Sequence, residues 1–164
     1  MAVGQLKYKS GHPVSEIRNQ AGEVLWRFAL GGPRWDECDL RGAVLDDVVC
    51  DGGVLTLATL AGASMKRSDF YWLFAGANSL AGADLEECTF RGCTLAETDF
   101  FGARLVRTRF LKDNLLGRTN LSGANLSEAW IRDADFSGAE YDGATRFPPG
   151  FDPTSHEMVK AKRR

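Results

Sequence analysis

The side chains able to do covalent or acid–base chemistry are few and poorly placed for it. The chain carries two histidines, His12 and His156, near its two ends, and four cysteines, Cys38, Cys50, Cys88 and Cys93. A triad or a Cys–His pair needs a base held within hydrogen-bond reach of its nucleophile, and these two histidines assemble no such set. Cys88 and Cys93 are spaced C-x₄-C with no second pair, which is not a zinc pattern. Three of the four cysteines fall on one position of the repeat described below, so they read as small buried thiols, with a metal or disulfide role as the alternative. Carboxylates lie beside one another, but interleaved with arginine in the manner of surface ion pairs. The phosphate-cradling patterns GxxxxGK[ST] and GxGxxG are absent. The residues therefore predict no catalytic centre, no cofactor and no metal: the chain is expected not to be an enzyme.

Composition narrows the partners. Twenty basic and 22 acidic residues leave a net charge of −2, too balanced to draw in nucleic acid or an anionic membrane. No apolar run reaches the ~18 residues of a membrane span, and the start, MAVGQLKYKSGHPVSE, lacks an apolar signal core. The expectation is a cytoplasmic protein with no direct nucleic acid binding and no membrane association. Glycine is in excess, 18 of 164 residues, or about 11% against the usual ~7%.

The elements that would position any site follow from a period of five. Large apolar residues recur at Trp35, Leu40, Leu45, Cys50, Leu55, Leu60, Met65, Phe70, Leu80, Leu85, Phe90, Leu95, Phe100, Leu105, Phe110 and Leu115, with Ala75 filling its slot. After one extra residue near Arg118 the series resumes at Leu121, Leu126, Ile131, Phe136 and Tyr141. Two residues before most of these centres stands a small one, such as Ala43, Ala63, Ala83, Cys88, Cys93, Thr98 or Ala124. Neither a helix nor a flat strand keeps such a series on one face. The chain must turn a corner every fifth residue, with the centre and the small residue inside and the residues flanking the centre outside.

Segments such as LAGADLEECTF (80–90) and TNLSGANLSEAWIRDADFSGA (119–139) resemble the A-[DN]-L-x-x signature of pentapeptide-repeat proteins over about residues 35–145. The resemblance implies an all-β fold: a right-handed quadrilateral β-helix with four pentapeptides per coil, here about five coils. Residues twenty apart should then stack like neighbouring strands. One such column reads Gly42, Gly62, Gly82, Gly102 and, after the extra residue, Gly123 and Gly143, which suits a tight corner. The next reads Asp47, Arg67, Glu87, Arg107, Glu128, alternating in sign beside Asp46, Lys66 and Glu86. Inside, Phe70, Phe90 and Phe110 form a stack continued by Ile131.

Three regions are expected. Residues 1–34 form an N-terminal β-hairpin cap, with Val14–Arg18 and Glu23–Phe28 as strands and Gly22 in the turn. Residues 35–145 form the β-helix. Residues 146–164 form a Pro-rich cap, in which Phe147 and Phe151 fold over the last coil, and a basic tail that is loose or a short helix.

Function must then lie on the outer surface. Tyr71, Trp72, Leu111 and Trp130 are expected to project together around the side whose core holds Phe70, Phe90 and Phe110, with Arg91 and Arg132 among them. Outward aromatics rimmed by arginine have the composition of a protein-binding hot spot. The other reading tucks Trp72 and Phe74 against a local irregularity at 71–80. Phe101 and Val106 read as single outward apolars. The expected role is a non-enzymatic protein–protein interaction module that binds an unidentified protein partner or a second copy of itself. The resemblance implies a small bacterial protein acting as a scaffold or as a neutraliser of a toxin or inhibitor. The resemblance also implies an alternative, a DNA mimic protecting a type II topoisomerase (gyrase) from inhibitors, which the alternating charge columns fit poorly.

Overall fold

The computed structural model describes residues 5–11, 14, 16–27, 37–115 and 117–162. Trp35, His12, Phe28 and the 34/35 boundary lie outside the described residues. Among the described residues, the regular structure is twelve short strands: β1 (Gln5–Tyr8), β2 (Glu16–Asn19), β3 (Val24–Arg27), β4 (Ala43–Val44), β5 (Val48–Val54), β6 (Asp69–Phe74), β7 (Thr89–Arg91), β8 (Arg104–Val106), β9 (Arg109–Leu111), β10 (Trp130–Arg132), β11 (Glu140–Tyr141) and β12 (Val159–Lys160). Among the described residues no helix is long and apolar enough to cross a membrane.

Four parallel ladders close into a right-handed, four-sided solenoid of about six turns. Side one runs Asp39–Thr59–Ser79–Asp99–Asn125–Arg146 and side two Val44–Ser64–Asp84–Arg104–Trp130. Side three runs Val49–Asp69–Thr89–Arg109–Asp135 and side four Val54–Phe74–Thr94–Asn120–Glu140–Val159. The extra coil beyond the expected five comes from Arg146 and Val159–Lys160, which continue the ladders after the last recognisable repeat.

The core is the stack of centres. Phe70, Phe90 and Phe110 lie ring on ring, 5.1 and 5.4 Å apart, and are fully buried. Each such side chain contributes about 1.5–3 kcal/mol of burial. The small inner position has a second task wherever it carries a polar hydrogen. Ser68, Thr98 and Thr108 donate to the carbonyls of Leu45, Ala75 and Leu85 at 2.6, 2.8 and 2.8 Å, always 23 residues back. The Cys88 and Cys93 thiols do the same to Met65 and Phe70. Asp or Asn before a centre also has a local role: Asn120, Asn125 and Asp135 accept from the backbone N–H of Ser122, Ser127 and Ser137. That contact is the physical content of the A-[DN]-L signature.

The corners take positive φ. Gly42, Gly62, Gly82 and Gly102 sit at 63–67° with open space where a Cβ would point. Asp47, Arg67, Glu87 and Arg107 take φ of 55–61° at another corner, a conformation that costs an L-residue about 1–2 kcal/mol. There the side chains pair across coils, Arg67 with Asp47 and Arg107 with Glu87.

The step of twenty breaks once. Thr94 bridges to Asn120, Asp99 to Asn125 and Arg109 to Asp135, so six residues are inserted after β9 where one was expected. They leave the rod as a loop closed by Asp113 and Gly117, with Leu115 80% exposed and not a core centre. One and six have the same phase in a period of five, so inside and outside are kept while every later residue falls one side earlier than a single inserted residue would place it. Phe110 therefore stacks on Phe136, not Ile131. Glu128 follows the Gly102 corner, since the Gly102 N–H bonds to the Ser127 carbonyl, and Gly123 stands over Glu97.

Both ends of the rod carry added elements. The β2–β3 hairpin turns at Asn19, whose side-chain oxygen accepts from the N–H of Ala21 and Glu23, with Gly22 at φ 83°. β2 pairs antiparallel with β4, and β1 pairs antiparallel with β5, so the first rungs of sides two and three meet a reversed strand. An antiparallel partner ends the stacking template that a bare first coil would present. At the other end Phe147 and Phe151 pack on the core, and His156 stacks on Phe151 at 4.3 Å. Up to residue 162 the tail is neither loose nor helical: β12 pairs with β11, and Met158 is buried. Its alternation of Met158 and Val159 lets it add a rung, which its basic composition hid.

Candidate protein-interaction surface

The structure divides the six residues expected to act together. Tyr71, Arg91 and Leu111 stand in register with Asp51 in one column of side three, each half-buried. Trp72 is beside them at the corner to side four, with φ 53°. Trp130 and Arg132 are elsewhere: β10 pairs with β8 on side two, opposite Arg104 and Val106. The six-residue insertion moved them there.

Trp72 serves local packing. A Cβ added to Gly92 would lie 3.1 Å from the indole Cδ1 and 2.8 Å from the Asp113 Cβ, so the ring fills the space between Gly92 and the inserted loop. Its Nε1 is buried without a hydrogen-bond partner. Val106, expected to face solvent, is fully buried. It is registered with Arg132 on the rung above and follows Glu86 in the column below, and long side chains on both rungs bury apolar neighbours with their stems.

Trp130 is different. It is 55% exposed on a regular strand. Arg104 and Arg132 hold their guanidinium carbons 5.4 and 5.9 Å from its ring centroid, a geometry in which the ring face attracts each cation. Arg104 is itself anchored by Asp84 at 3.0 Å and by Glu86.

Sides two and three share a ladder of ion pairs. Arg67 binds Asp47 at 2.6 Å, Arg107 binds Glu86 and Glu87 at 2.6 and 2.7 Å, and Lys66 binds Asp84 at 3.1 Å. The hydrogen bond from Arg67 holds the Asp47 carboxyl below the usual carboxylate range, and Arg104 does the same for Glu86. Signs alternate from rung to rung, so no continuous anionic stripe runs along these sides.

Sequence reasoning missed a second surface. Val54, Leu57 and Phe74 are 39, 63 and 57% exposed at the start of side four and its corner with side one. The available signal was the absence of any charged residue in 52–65 and in 70–83. The four cysteines are buried, and burial pushes the Cys50 and Cys93 thiols up to about 12. Among the described residues no group of three or more His, Cys, Asp or Glu could hold a metal ion.

Comparison with known proteins agrees with the architecture. The description "Pentapeptide repeats" fits eight copies over residues 31–72, 79–110 and 115–140. No curated protein sequence matches the chain at a significant level. Among solved structures it is similar to the pentapeptide repeat protein Rfr23 from the cyanobacterium Cyanothece 51142, with 20% identity, TM-score 0.53, and 80% of this chain and 78% of that one covered. HetL, involved in heterocyst differentiation regulation in Nostoc sp. strain PCC 7120, shares 23% identity at TM-score 0.42 over 75% of this chain, which spans 57% of HetL. QnrB1, a plasmid-mediated fluoroquinolone resistance protein, shares 15% identity at TM-score 0.37, with 66% of this chain and 82% of that one covered. At these identities the likeness concerns the fold. With the repeat pattern covering most of its length and a four-sided solenoid built from it, this chain belongs to the pentapeptide-repeat family.

Proposed function

We propose that the chain is a non-enzymatic protein-interaction module, a rigid rod that recognises a protein partner through side two. The observation that supports this reading is Trp130, an indole more than half exposed on a regular strand and held between two arginines. Local folding gives no reason for that exposure. A large ring whose orientation is already fixed loses little conformational freedom on binding, and Trp with Arg is the composition of a hot spot. Tyr71, Arg91 and Leu111 offer a second, flatter contact on side three. The alternating ion ladder argues against imitation of duplex DNA, which needs a field of one sign.

The test is affinity capture with the immobilised chain, beside its Trp130→Ser variant, from a lysate of its native host. The captured protein is then titrated against both by calorimetry. Trp130→Ser should weaken binding at least tenfold with an unchanged far-UV spectrum. Equal binding by both proteins removes side two as the recognition surface.

A further inference from the structure

The last coil is incomplete on side two. Arg146 adds a rung to side one above Asn125, and Val159–Lys160 adds one to side four, whereas β10 is the last strand of side two. The cause lies in one residue. Register with Asn125 puts Pro149 at the next corner between sides one and two, where Gly102 and Glu128 take φ of 63 and 60°. A proline ring holds φ near −65°, so the chain cannot turn there. It crosses the end of the core instead, with Phe151 against Phe136.

This leaves β10 with an open edge. Trp130 and Arg132 face the strand below: the Trp130 N–H donates to the Ala103 carbonyl at 2.8 Å, and the Arg132 carbonyl accepts from the Arg107 N–H at 2.8 Å. The alternation of a strand turns the N–H and C=O of Ile131 the other way. Among the described residues these two groups have no hydrogen-bond partner, and neither do the Ala129 carbonyl and the Asp133 N–H. Ile131 is also only half-buried, while Leu85 and Leu105 beneath it are fully buried. Two free donors, two free acceptors and an unfinished core position make a template for one more strand.

The charges of the end rung describe the strand that fits. In the columns below, signs oppose from rung to rung, Arg67 over Asp47 and Arg107 over Glu87. Arg132 and Asp133 end these columns, and the contact between them is 3.9 Å long, against 2.6–3.1 Å for Arg67, Arg107 and Lys66 with their carboxylates. A parallel strand that continues the pattern places a small residue over Ala129, an apolar one over Ile131, an acid over Arg132 and a base over Asp133. Over Glu128, at the preceding corner, it needs a residue that accepts positive φ.

We infer that the rod takes its protein partner by strand addition: an extended partner segment of the order small–any–apolar–acidic–basic pairs in parallel with the open edge of β10, beside Trp130. This rests on the side-two reading and supplies its binding mode and the partner's chemistry.

The test uses the full chain, labelled with nitrogen-15, and the end-capped peptide GAVLER, with GAVLRE, of identical composition, as control. In the free chain the Ile131 amide should exchange with solvent about a hundredfold faster than that of Trp130. GAVLER should slow that exchange and bind about tenfold more tightly than GAVLRE. Ile131→Pro removes the outward donor and spares every backbone bond of the rod, as proline is accepted at a strand edge; it should keep the far-UV spectrum and lose the peptide. N-methylation of the peptide at Val and Glu, whose N–H groups meet the Ala129 and Ile131 carbonyls, should abolish binding with the protein untouched. An Ile131 amide as protected as that of Trp130 in the free chain, equal binding of the two peptides, or binding of the methylated peptide would each overturn the inference. Protection that grows with protein concentration alone would give the edge to a second copy, and so overturn it as well. The captured partner separates this inference from the side-two reading. Loss of that partner in Trp130→Ser but not in Ile131→Pro overturns strand addition and leaves the ring; loss in Ile131→Pro but not in Trp130→Ser supports the edge and removes the ring.

Discussion

Phe110 stacks on Phe136 with ring centroids 4.9 Å apart and planes 15° from parallel, the same relation that joins Phe70 to Phe90 and Phe90 to Phe110 across twenty residues. Here the interval is 26. The six additional residues therefore form an excursion that leaves the core register intact. Removing residues 112–117 joins Leu111 to Arg118 and restores an unbroken repeat, with Arg118 at the corner and Thr119 at the inner position. We predict that this deletion variant folds. Its stability should fall within about 2 kcal/mol of wild type, the cost of one non-glycine residue at positive φ set against a shortened loop. Urea denaturation followed by circular dichroism checks this, and failure to fold would show that the loop holds the two halves together. Tryptophan emission should shift to the red as Trp72 loses the Asp113 side of its niche.

That interval also explains what the sequence conveyed and what it concealed. The spacing of Leu40, Leu45, Cys50 and their successors carries inside and outside directly, because each centre must face the core. The lateral position is carried only by the count of residues between coils. Leu115 lies five residues after Phe110 and Leu121 six after Leu115, so a six-residue excursion looks like a one-residue insertion. The sequence pattern alone therefore groups Trp130 and Arg132 with Tyr71, one side away from where β10 places them. Glu37, Leu57 and Ala77 at corners with positive φ were invisible for another reason: nothing in a side chain announces a conformation it merely tolerates.

The inner hydroxyls give a measurable stability term. Thr98 donates to the Ala75 carbonyl at 2.8 Å inside the core. Thr98→Val keeps the shape and leaves that carbonyl without its partner, so the expected loss is about 1–2 kcal/mol. Thr108→Val should cost less, because the Leu85 carbonyl that Thr108 reaches keeps the backbone N–H of Cys88 at 3.1 Å. Chemical denaturation midpoints at constant slope provide the readout, and a loss below the error of the method would mean the carbonyl is satisfied otherwise.

Two glycines separate backbone strain from collision. Gly62 sits at φ 67° with nothing within 4 Å of a Cβ, whereas Gly92 sits at φ 61° with the Trp72 indole and Asp113 against it. Gly62→Ala should cost about 1 kcal/mol, from the left-handed backbone alone. Gly92→Ala carries that cost and a further ~1–3 kcal/mol for the steric conflict. Equal losses in thermal denaturation would mean that the loop and the indole move aside freely.

Asp142 links the last corner to pH. Its carboxylate accepts from the N–H of Gly123 at 2.9 Å, and from the N–H groups of Ala144 and Thr145 at 2.9 and 3.1 Å. These bonds, led by that from Gly123, hold its carboxyl below the usual carboxylate range. A depressed folded-state value means the stabilisation is fully present above the unfolded value of about 4 and is lost as pH falls through the folded one. Asp142→Asn should therefore lower stability at neutral pH and flatten its decline below about pH 4. Parallel urea titrations at neutral and acid pH would detect this; a variant whose stability falls with acid as steeply as wild type would assign the effect to other carboxylates.

The thiols make the most direct test of the closed rod. Cys38, Cys50, Cys88 and Cys93 are all buried, and desolvation by the surrounding core raises Cys50 and Cys93 to about 12 and Cys88 also upward. The reactive species is the thiolate, which at pH 8 is then both scarce and inaccessible. We predict only slow release of colour from a disulfide reagent with the folded protein, and rapid release equivalent to four thiols once it is unfolded in guanidinium. Because modification requires opening of the coil around each thiol, the slow rates in the native state report local opening along the rod. Cys38, nearest the N-terminal edge of the described coils, should react before Cys88 and Cys93. The reverse order would mean that the middle of the rod opens more readily than its start, against the quasi-one-dimensional fraying expected of a stack of coils.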